Sequence, residues 1–363
     1  MDSRIPNKGC CIGVIGELMD LNDYAARTAV IEVEKIDRPI PDIMTDHGFD
    51  PADWVVVKSN IKVGKNGWVK IELTPVMVRP AALTPGKVWP KWDPAIHTQA
   101  VSKGVVLSDH QISHHDRDLH RLACEFISEF EPDFIILNGD FLDNPTISRW
   151  PANPGYDMPF QECVNQGYEV LTDYLTAAGA DKRPVRRVLM EGNHDKRPND
   201  YLQGHAPEFI NLRRGGDDEG THPVNSIPYL LRLDELGVEW LGGWPHTQLV
   251  LSPHLAVRHG WLVKPKSGAT ALATLERLGH SVIVGHVHRQ AIVCHTIRDI
   301  NGHPSVLVAV EGGTMATVDL GYDPAQNAQQ GFTVVHMFDD GDYSVSLAQY
   351  DKGKLFWSGN RWS

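Results

Sequence analysis

Cysteine is scarce in this sequence. The 363 residues include five cysteines, at positions 10, 11, 124, 163 and 294, and no two of them have the CxxC spacing of a zinc ribbon. An odd number of scattered cysteines argues against a disulfide framework and suits a reducing compartment. We therefore predict a cytoplasmic protein whose core depends on neither disulfides nor structural zinc.

Long apolar runs are also missing. No stretch reaches the roughly 18–20 apolar residues that a membrane-spanning helix needs, so we predict no membrane partner. The one N-terminal apolar patch, CCIGVIGELM, is short and has no small-residue cleavage site after it. We accordingly expect no signal peptide.

Positive charge is in deficit. The chain has 34 Lys and Arg residues against 46 Asp and Glu residues, which gives a net charge of −12. Such a surface does not attract polyanions over its whole area, so any nucleic-acid contact requires a local basic patch. The 18 histidines, together with the many carboxylates, supply potential metal ligands.

The length and the sequence pattern predict two domains. Residues 1–98 form a small α+β appendage, with a helix around Leu18–Glu34, a short helix starting at Asp50-Pro51 and a β-hairpin that turns at Asn66-Gly67. A segment rich in proline and glycine then leads into a catalytic domain at residues 99–363.

The hairpin region is locally basic. Between Trp54 and Arg79 a single acid, Glu72, accompanies five basic residues, namely Lys58, Lys62, Lys65, Lys70 and Arg79. A basic stripe interleaved with tryptophans is able to contact nucleic acid or another partner. The alternative is a solvated hairpin whose tryptophans form its own small core.

From Gly104 onward, short apolar strands alternate with amphipathic helices and are followed by a run of strands without helices. The segment DRDLHRLACEFISEF predicts a helix with Leu119, Leu122, Ala123 and Phe126 on one stripe. This β-α-β half followed by a largely antiparallel half predicts an α/β fold.

Five short motifs follow predicted strands, where ligands of open α/β sheets bind. In chain order they are SDHQ with Asp109 and Gln111, GDFLD with Asp140 and Asp143, GNHD with Asn193 to Asp195, RHG with His259, and GHVH with His286 and His288. Two divalent cations about 3.5–4 Å apart need a bridging anion, for which Asp140 is the candidate. On an extended backbone His286 and His288 face the same way and both reach the ions.

These motifs resemble those of the calcineurin-like metallophosphoesterases over about residues 104–315. Beyond the motifs, the segment EGNHDKR followed by YLQGHAPEF and LLRLDELGVEW resembles the repair-exonuclease-like members from phages and bacteria. The resemblance implies a four-layer α/β/β/α sandwich with two mixed sheets. It implies that Asp109, Asp140 and His288 bind one metal, and that Asp140, Asn193, His259 and His286 bind the other. It further implies in-line attack on phosphorus by a hydroxide that bridges the metals, with His194 as general acid or transition-state donor. We expect Asp195 to orient either His194 or a backbone amide.

One position departs from the family. Where the family has Asp-x-His, this chain has Asp109-His110-Gln111. We keep Gln111 as a candidate ligand through its amide oxygen, which favours Mn²⁺, with Mg²⁺, Fe and Zn as alternatives. Further candidates for substrate contact are His110, Lys196 and Arg197, and Asp143 is expected to support the loop rather than bind metal.

Three functions remain open. The resemblance and the basic hairpin favour a manganese-dependent nuclease that hydrolyses phosphodiester bonds in DNA or RNA. The acidic net charge favours an enzyme for small phosphate esters, such as a cyclic-nucleotide phosphodiesterase or a phosphatase. The substitution at Gln111 favours a scaffold without activity. The sequence leaves the oligomeric state open.

Overall fold

The structure is a computed structural model and describes residues 29–33, 39–49, 51, 54–60, 69–75, 99–148, 158–318 and 327–363. The chain divides into two compact units, Met1–Trp92 and Asp93–Ser363. The division falls slightly upstream of the boundary predicted at residue 98.

The first unit contains a small antiparallel sheet. Its elements are β1 (Ala29–Val33), α1 (Ile40–Asp46), β2 (Trp54–Asn60) and β3 (Val69–Pro75), and the strand order is β1-β3-β2. Ile43 and Met44 of α1 pack against Ile71 and Leu73 of β3. The pairing of β2 with β3 confirms the two predicted strands of the hairpin. The predicted turn at Asn66-Gly67 lies outside the described residues, as do Lys62, Lys65 and Arg79.

One helix prediction in this unit needs correction, and a second falls mostly outside the described residues. Residues Ala29–Val33, placed at the end of a helix around Leu18–Glu34, form β1 and pair with β3. Their β-branched Val30, Ile31 and Val33 favour strand pairing, and residues 18–28 lie outside the described ranges. The short helix predicted to start at Asp50-Pro51 falls on residues of which only Pro51 is described, before β2 begins at Trp54. The helix that the structure describes in this unit is α1, which begins at Ile40 with a proline in its first turn.

The second unit holds two mixed sheets and six α-helices within its described residues. Its helices are α2 (Arg117–Phe130), α3 (Phe160–Ala177), α4 (Arg197–His205), α5 (Ile227–Leu230), α6 (Leu233–Leu236) and α7 (Ala269–Leu278). Its strands are β4 (Ser102–Leu107), β5 (Phe134–Asn138), β6 (Arg186–Met190), β7 (Glu239–Leu241), β8 (Leu249–Ser252), β9 (Leu255–Arg258), β10 (Ser281–Val284), β11 (Gln290–Arg298), β12 (Pro304–Gly312), β13 (Gln330–Met337), β14 (Tyr343–Asp351), β15 (Lys354–Trp357) and β16 (Asn360–Trp362).

The larger sheet has eight strands in the order β16-β15-β14-β13-β4-β5-β6-β7, and the smaller has five in the order β11-β12-β10-β9-β8. Strands β4 to β7 are parallel to one another, whereas β13 to β16 are antiparallel. The prediction of an α/β fold with two mixed sheets is confirmed. None of the helices in the described ranges is long and apolar enough to cross a membrane.

Apolar side chains join the sheets and helices. Val106, Ile136 and Val188 of the larger sheet pack against Val257 and Ile283 of the smaller one. The four residues of the predicted stripe on α2 are buried in a second cluster with α3 and the larger sheet. Helix α7 packs on the smaller sheet through Ala271 and Leu275.

Helix α2 has the bounds that its apolar stripe and its N-terminal aspartate predict. Asp116 caps its first turn, because the carboxylate accepts hydrogen bonds from the backbone N–H groups of Asp118 and Leu119, both at 3.0 Å. The helix ends at Glu131, which has a left-handed φ of 48°. The cap and the apolar stripe agree on the same boundaries.

The parallel strands position the candidate site. Asp109, Asp140 and Asn193 follow β4, β5 and β6, which are adjacent and parallel in the larger sheet. His259 and His286 follow β9 and β10, which are adjacent and parallel in the smaller sheet. The carboxyl ends of both sets therefore meet at one edge of the second unit.

Candidate metal centre

One group of candidate ligands surrounds Asp140. The side-chain ligand atoms of Asp140, His259 and His286 all lie within 4.8 Å of one another. His259 Nε2 is 3.3 Å from Asp140 Oδ2 and 3.3 Å from Asn193 Oδ1. His259 Nδ1 donates to the carbonyl oxygen of Asn138 at 2.8 Å, so Nε2 is the atom left to bind a cation.

A second group forms beside the first. His288 Nε2 lies 3.4 Å from Asp109 Oδ1 and 3.1 Å from Gln111 Nε2. A half-turn of the amide of Gln111 places Oε1 in the same position, and this is the atom that a cation would use. The two groups adjoin, because the carboxylate of Asp109 accepts from the backbone N–H of His286 at 2.9 Å.

The backbone of these loops is left-handed at the ligands. Positive φ angles occur at Asp109 (56°), Gln111 (44°), Asp140 (50°), His286 (70°) and His288 (56°). Non-glycine residues rarely adopt this conformation, and such residues cluster at functional sites. The extended backbone predicted for His286 and His288 is therefore wrong. Each histidine belongs to a different group of ligands.

Two glycines allow the loops to approach each other. A Cβ atom on Gly192 would lie 2.2 Å from the backbone nitrogen of Asp140, and one on Gly285 would lie 2.7 Å from Asp109 Oδ2. Only glycine fits at such contacts. Gly192 and Gly285 therefore permit a close approach of the loops before Asn193 and His286.

The charges of this group are strongly coupled. Burial alone would lower the pKa of His259, but the charge of Asp140 overcomes it and raises the pKa to about 10. Burial would raise the pKa of Asp140, but the neighbouring His194 and His259 lower it well below its usual range. Burial and the charge of His259 lower the pKa of His286 to about 4. A protonated His259 thus pairs with ionised Asp140, where a cation would take the place of the proton.

The donor set fits divalent cations. It comprises two carboxylates, two amides and three imidazoles, all at the edge of the parallel strands. His286 Nδ1 is buried and has no hydrogen-bond partner among the described residues, which leaves a lone pair or proton unsatisfied. Oxygen and imidazole donors of this kind suit Mn²⁺ and Mg²⁺ as well as zinc and iron.

His194 lies at the border of the cluster. Its Nδ1 is 2.6 Å from Asp143 Oδ1, and its Nε2 is 3.7 Å from Asp140 Oδ2. Arg197 Nη2 lies 3.2 Å from His194 Nε2, and Arg197 Nη1 lies 3.2 Å from Asp143 Oδ1 and also donates to the carbonyl oxygen of Asp143. Burial lowers the pKa of His194, but the charge of Asp140 and the bond from Asp143 raise it overall.

Asp195 holds the loops together. Its carboxylate accepts hydrogen bonds from the backbone N–H groups of Phe141, Leu142 and Gly192, at 2.9–3.2 Å. Burial and the charge of Asp140 raise its pKa to about 6. These bonds connect the loop after β5 to the loop after β6. They give Asp195 a positioning role toward backbone amides, one of the two roles the sequence suggested.

The structure does not bring every predicted residue to the cluster. His110 is 1% exposed, and its ring contacts Phe141 and Tyr174 in the core, with Nε2 3.1 Å from the hydroxyl of Tyr174. Lys196 points to Asp200, with Nζ 3.1 Å from Oδ1. This placement gives His110 a packing role, and Arg197 is the member of the substrate-contact set that reaches the site.

Sequence reasoning missed how Asp143 is used. Its carboxylate contacts His194, Arg197 and His114, whose Nε2 is 3.5 Å from Asp143 Oδ2. These cations and hydrogen bonds outweigh burial and lower the pKa of Asp143 below its usual range. The second aspartate of GDFLD, three residues after Asp140, is the signal that points to this partner.

Comparison with known proteins places the chain in a family. No family model matches it. The Gene 54 protein of Mycobacterium phage D29 is 31% identical over 275 residues, which cover 71% of this chain and 97% of that protein. The chain belongs to this Gene 54 family. Another member, from Mycobacterium phage L5, is 31% identical over 249 residues, covering 64% of this chain and 87% of the relative.

Solved structures resemble this Gene 54 family member more distantly. A Vps29 single mutant from Entamoeba histolytica has a TM-score of 0.30 and 11% identity, and covers 69% of this chain and 99% of its own. Vps29 from Cryptosporidium parvum has a TM-score of 0.32 and 13% identity, with 70% and 100% covered. TT1561 of Thermus thermophilus has a TM-score of 0.28 and 10% identity, with 68% and 98% covered.

Proposed function

We propose that this protein is a divalent-metal-dependent phosphodiesterase that binds two metal ions per site. Mn²⁺ is the metal that we favour at both positions. The observation that carries the proposal is the meeting of two adjoining ligand groups at five strand ends, with His194 at their border. The motif resemblance to metallophosphoesterases supports the same assignment, and with it we propose their helix–sheet–sheet–helix layer order.

The ligand groups divide the work of holding the ions. Asp140, Asn193, His259 and His286 would hold one ion, and Asp109, Gln111 and His288 the other, with Asp140 shared between them. Bound ions of this kind polarise phosphoryl oxygens and lower the pKa of water. The amide oxygen of Gln111 replaces an imidazole and makes its group the weaker one, which favours Mn²⁺ or Mg²⁺ there.

His194 and Arg197 act on the phosphate group in this proposal. His194 Nε2 lies 3.7 Å from a carboxylate oxygen of Asp140, so a phosphate beside Asp140 comes within its reach. Asp143 accepts the proton of Nδ1 and holds the ring in place, and Arg197 Nη1 contacts the same oxygen of Asp143, Oδ1. His194 then donates from Nε2 to a phosphoryl oxygen or to the leaving alkoxide.

The test compares the wild type with His194→Ala in Mn²⁺. Substrates are a dinucleotide, with a poor leaving group, and bis-p-nitrophenyl phosphate, with a good one. We expect the variant to keep two bound Mn²⁺ in equilibrium dialysis and to lose kcat by about 10²–10⁴-fold on the dinucleotide. The loss should be smaller on the nitrophenyl ester, which needs little protonation. His303→Ala, at an exposed histidine, is the control.

Two outcomes count against the proposal. If the manganese-loaded wild type hydrolyses no diester, the protein is not a phosphodiesterase. If His194→Ala loses metal but keeps its turnover per bound pair of ions, His194 is a ligand and the assigned role is wrong.

The net charge of −12 favours a second candidate, a phosphodiesterase for small esters. Ionic strength separates the two. For a polynucleotide that contacts several basic groups, the logarithm of the binding constant falls steeply with the logarithm of the salt concentration. For a small ester the same slope is shallow.

A further inference from the structure

A stripe of side chains leads away from the candidate site along α4. Arg197, Tyr201 and His205 recur at every fourth residue and therefore lie on one face of the helix. Eight residues correspond to about 12 Å along the axis. Arg197 begins the stripe inside the site, where it contacts Asp143 and His194.

The middle of the stripe is a preformed aromatic platform. The rings of Tyr201 and His205 are stacked, with centroids 4.3 Å apart and an angle of 16° between the planes. His205 Nδ1 lies 2.9 Å from the carbonyl oxygen of Tyr201, which fixes the imidazole against the phenol ring. Tyr201 is 44% exposed, so part of its side chain is accessible to a ligand.

The platform is inclined toward the site. Cα–Cβ bonds in a helix tilt toward its N-terminus, so Tyr201 leans over the turn that carries Arg197. The nearby carboxylate of Asp200 is engaged with Lys196 on the adjoining face. The stripe therefore offers a guanidinium followed by an aromatic face, which is the order that a phosphate followed by a nucleobase requires.

We propose that this stripe binds single-stranded nucleic acid, with a base stacked on Tyr201, and that the substrate of the site is a polynucleotide. The substrate assignment rests on the proposed phosphodiesterase activity. A small ester held at the metal centre would not extend to the second and third positions of the stripe. A chain of nucleotides would, and base stacking on an aromatic side chain is tolerant of sequence.

The first test measures binding without catalysis. Fluorescence anisotropy of a labelled ten-residue oligothymidylate is followed in EDTA and 50 mM salt, with wild type, Tyr201→Ala, Tyr201→Phe and Gln203→Ala. Gln203 is exposed and lies about 200° around the helix from Tyr201, which makes it the matched control. We expect Tyr201→Ala to weaken binding roughly tenfold, within the 5- to 150-fold range of one stacked base. Tyr201→Phe should retain wild-type affinity, and Gln203→Ala should not change it.

The second test measures specificity with Mn²⁺ present. The ratio of kcat/KM for the oligothymidylate to kcat/KM for bis-p-nitrophenyl phosphate should fall about tenfold in Tyr201→Ala, chiefly through KM. Equal loss on both substrates would make Tyr201 a structural residue and overturn the proposal. So would unchanged binding in Tyr201→Ala, or tighter binding of a duplex of equal length.

The two proposals fail in different ways. Hydrolysis of the nitrophenyl ester without oligonucleotide binding overturns the polynucleotide stripe and leaves the phosphodiesterase standing. Binding through Tyr201 without hydrolysis of any diester retains the stripe and removes the proposed activity.

Discussion

Two groups of histidines occupy the second unit, and they differ in what surrounds them. At the strand ends, His259 and His288 lie 3.3–3.4 Å from the buried carboxylates of Asp140 and Asp109. Beside α2, His115 and His120 pack against each other with ring centroids 6.1 Å apart, and His120 packs against Tyr174 at 4.8 Å.

His259 and His115 respond in opposite ways, whereas His286 of the strand-end group has a lowered pKa as His115 does. At the strand ends, the charge of Asp140 overcomes burial and raises the pKa of His259 to about 10. Beside α2, burial and the charge of His120 lower the pKa of His115 to about 4. The carboxylate that contacts this pair, Asp173, has a side chain that is 62% exposed, and its Oδ2 lies 3.1 Å from His120 Nε2. Buried carboxylates therefore distinguish a candidate metal centre from a packed histidine cluster, and the number of histidines does not.

Asp140→Asn should give the largest effect. It removes a buried carboxylate that the histidines at the strand ends have and the histidines beside α2 lack, and that both ions would share. Two cations without a bridging anion repel each other. We expect the variant to lose at least one of two bound Mn²⁺ in equilibrium dialysis and to lose kcat by about 10³-fold or more, since metal contacts supply several kcal/mol.

The matched control for this variant is Asp173→Asn, which removes the carboxylate beside His120 in the other group. It should retain both ions and full activity. Loss of metal in Asp173→Asn would break the distinction between the two histidine groups.

Acid should destabilise the fold through His115. Its pKa is 6.5 in an ordinary setting and about 4 in the folded chain, so between these values the unfolded chain binds more protons. The free energy of unfolding therefore falls as pH drops from about 6.5 to about 4, by up to about 3 kcal/mol from this group. Urea unfolding in EDTA at a series of pH values measures it.

His115→Gln should remove that part of the pH dependence, whereas His246→Gln, at an exposed histidine, should preserve it. A pH profile of His115→Gln identical to that of the wild type would contradict the assigned cause.

Gln111→His should have the smallest effect, on one ion only. An imidazole in place of the amide should tighten the weaker Mn²⁺ by roughly tenfold, an amount typical of changes next to a metal. Isothermal titration of Mn²⁺ and Zn²⁺ into both proteins measures it, with Gln248→His as an exposed control. Equal affinities would mean that Gln111 does not touch the ion.

The strand-end motifs and the α2 stripe were readable from the sequence because each depends on local patterns. Short apolar runs predicted β4, β5, β6 and β10, and the loops after them hold Asp109, Asp140, Asn193 and His286.

Contacts between distant loops were not readable. The left-handed backbone at His286 and His288 follows from contacts such as that between the His286 N–H and Asp109, which are 177 residues apart in sequence. The packing of His110 against Tyr174 likewise depends on how α3 lies over the larger sheet. The helix prediction for the residues of β1 was wrong for a related reason, because pairing with β3 decides their conformation.

The candidate ligands come from both sheets. Asp109, Asp140 and Asn193 extend from the larger sheet, and His259 and His286 from the smaller. Beneath them the sheets are joined by apolar side chains such as Ile136 and Ile283, and by hydrogen bonds such as that from Asn138 Nδ2 to the carbonyl oxygen of Arg258 at 3.0 Å. An ion bound at this edge would therefore cross-link the two sheets. Through ligand linkage, this binding would raise the free energy of unfolding by about 2.7 kcal/mol when the free metal concentration is a hundred times the dissociation constant. The free energy of unfolding of the protein would therefore vary with the free metal concentration around it.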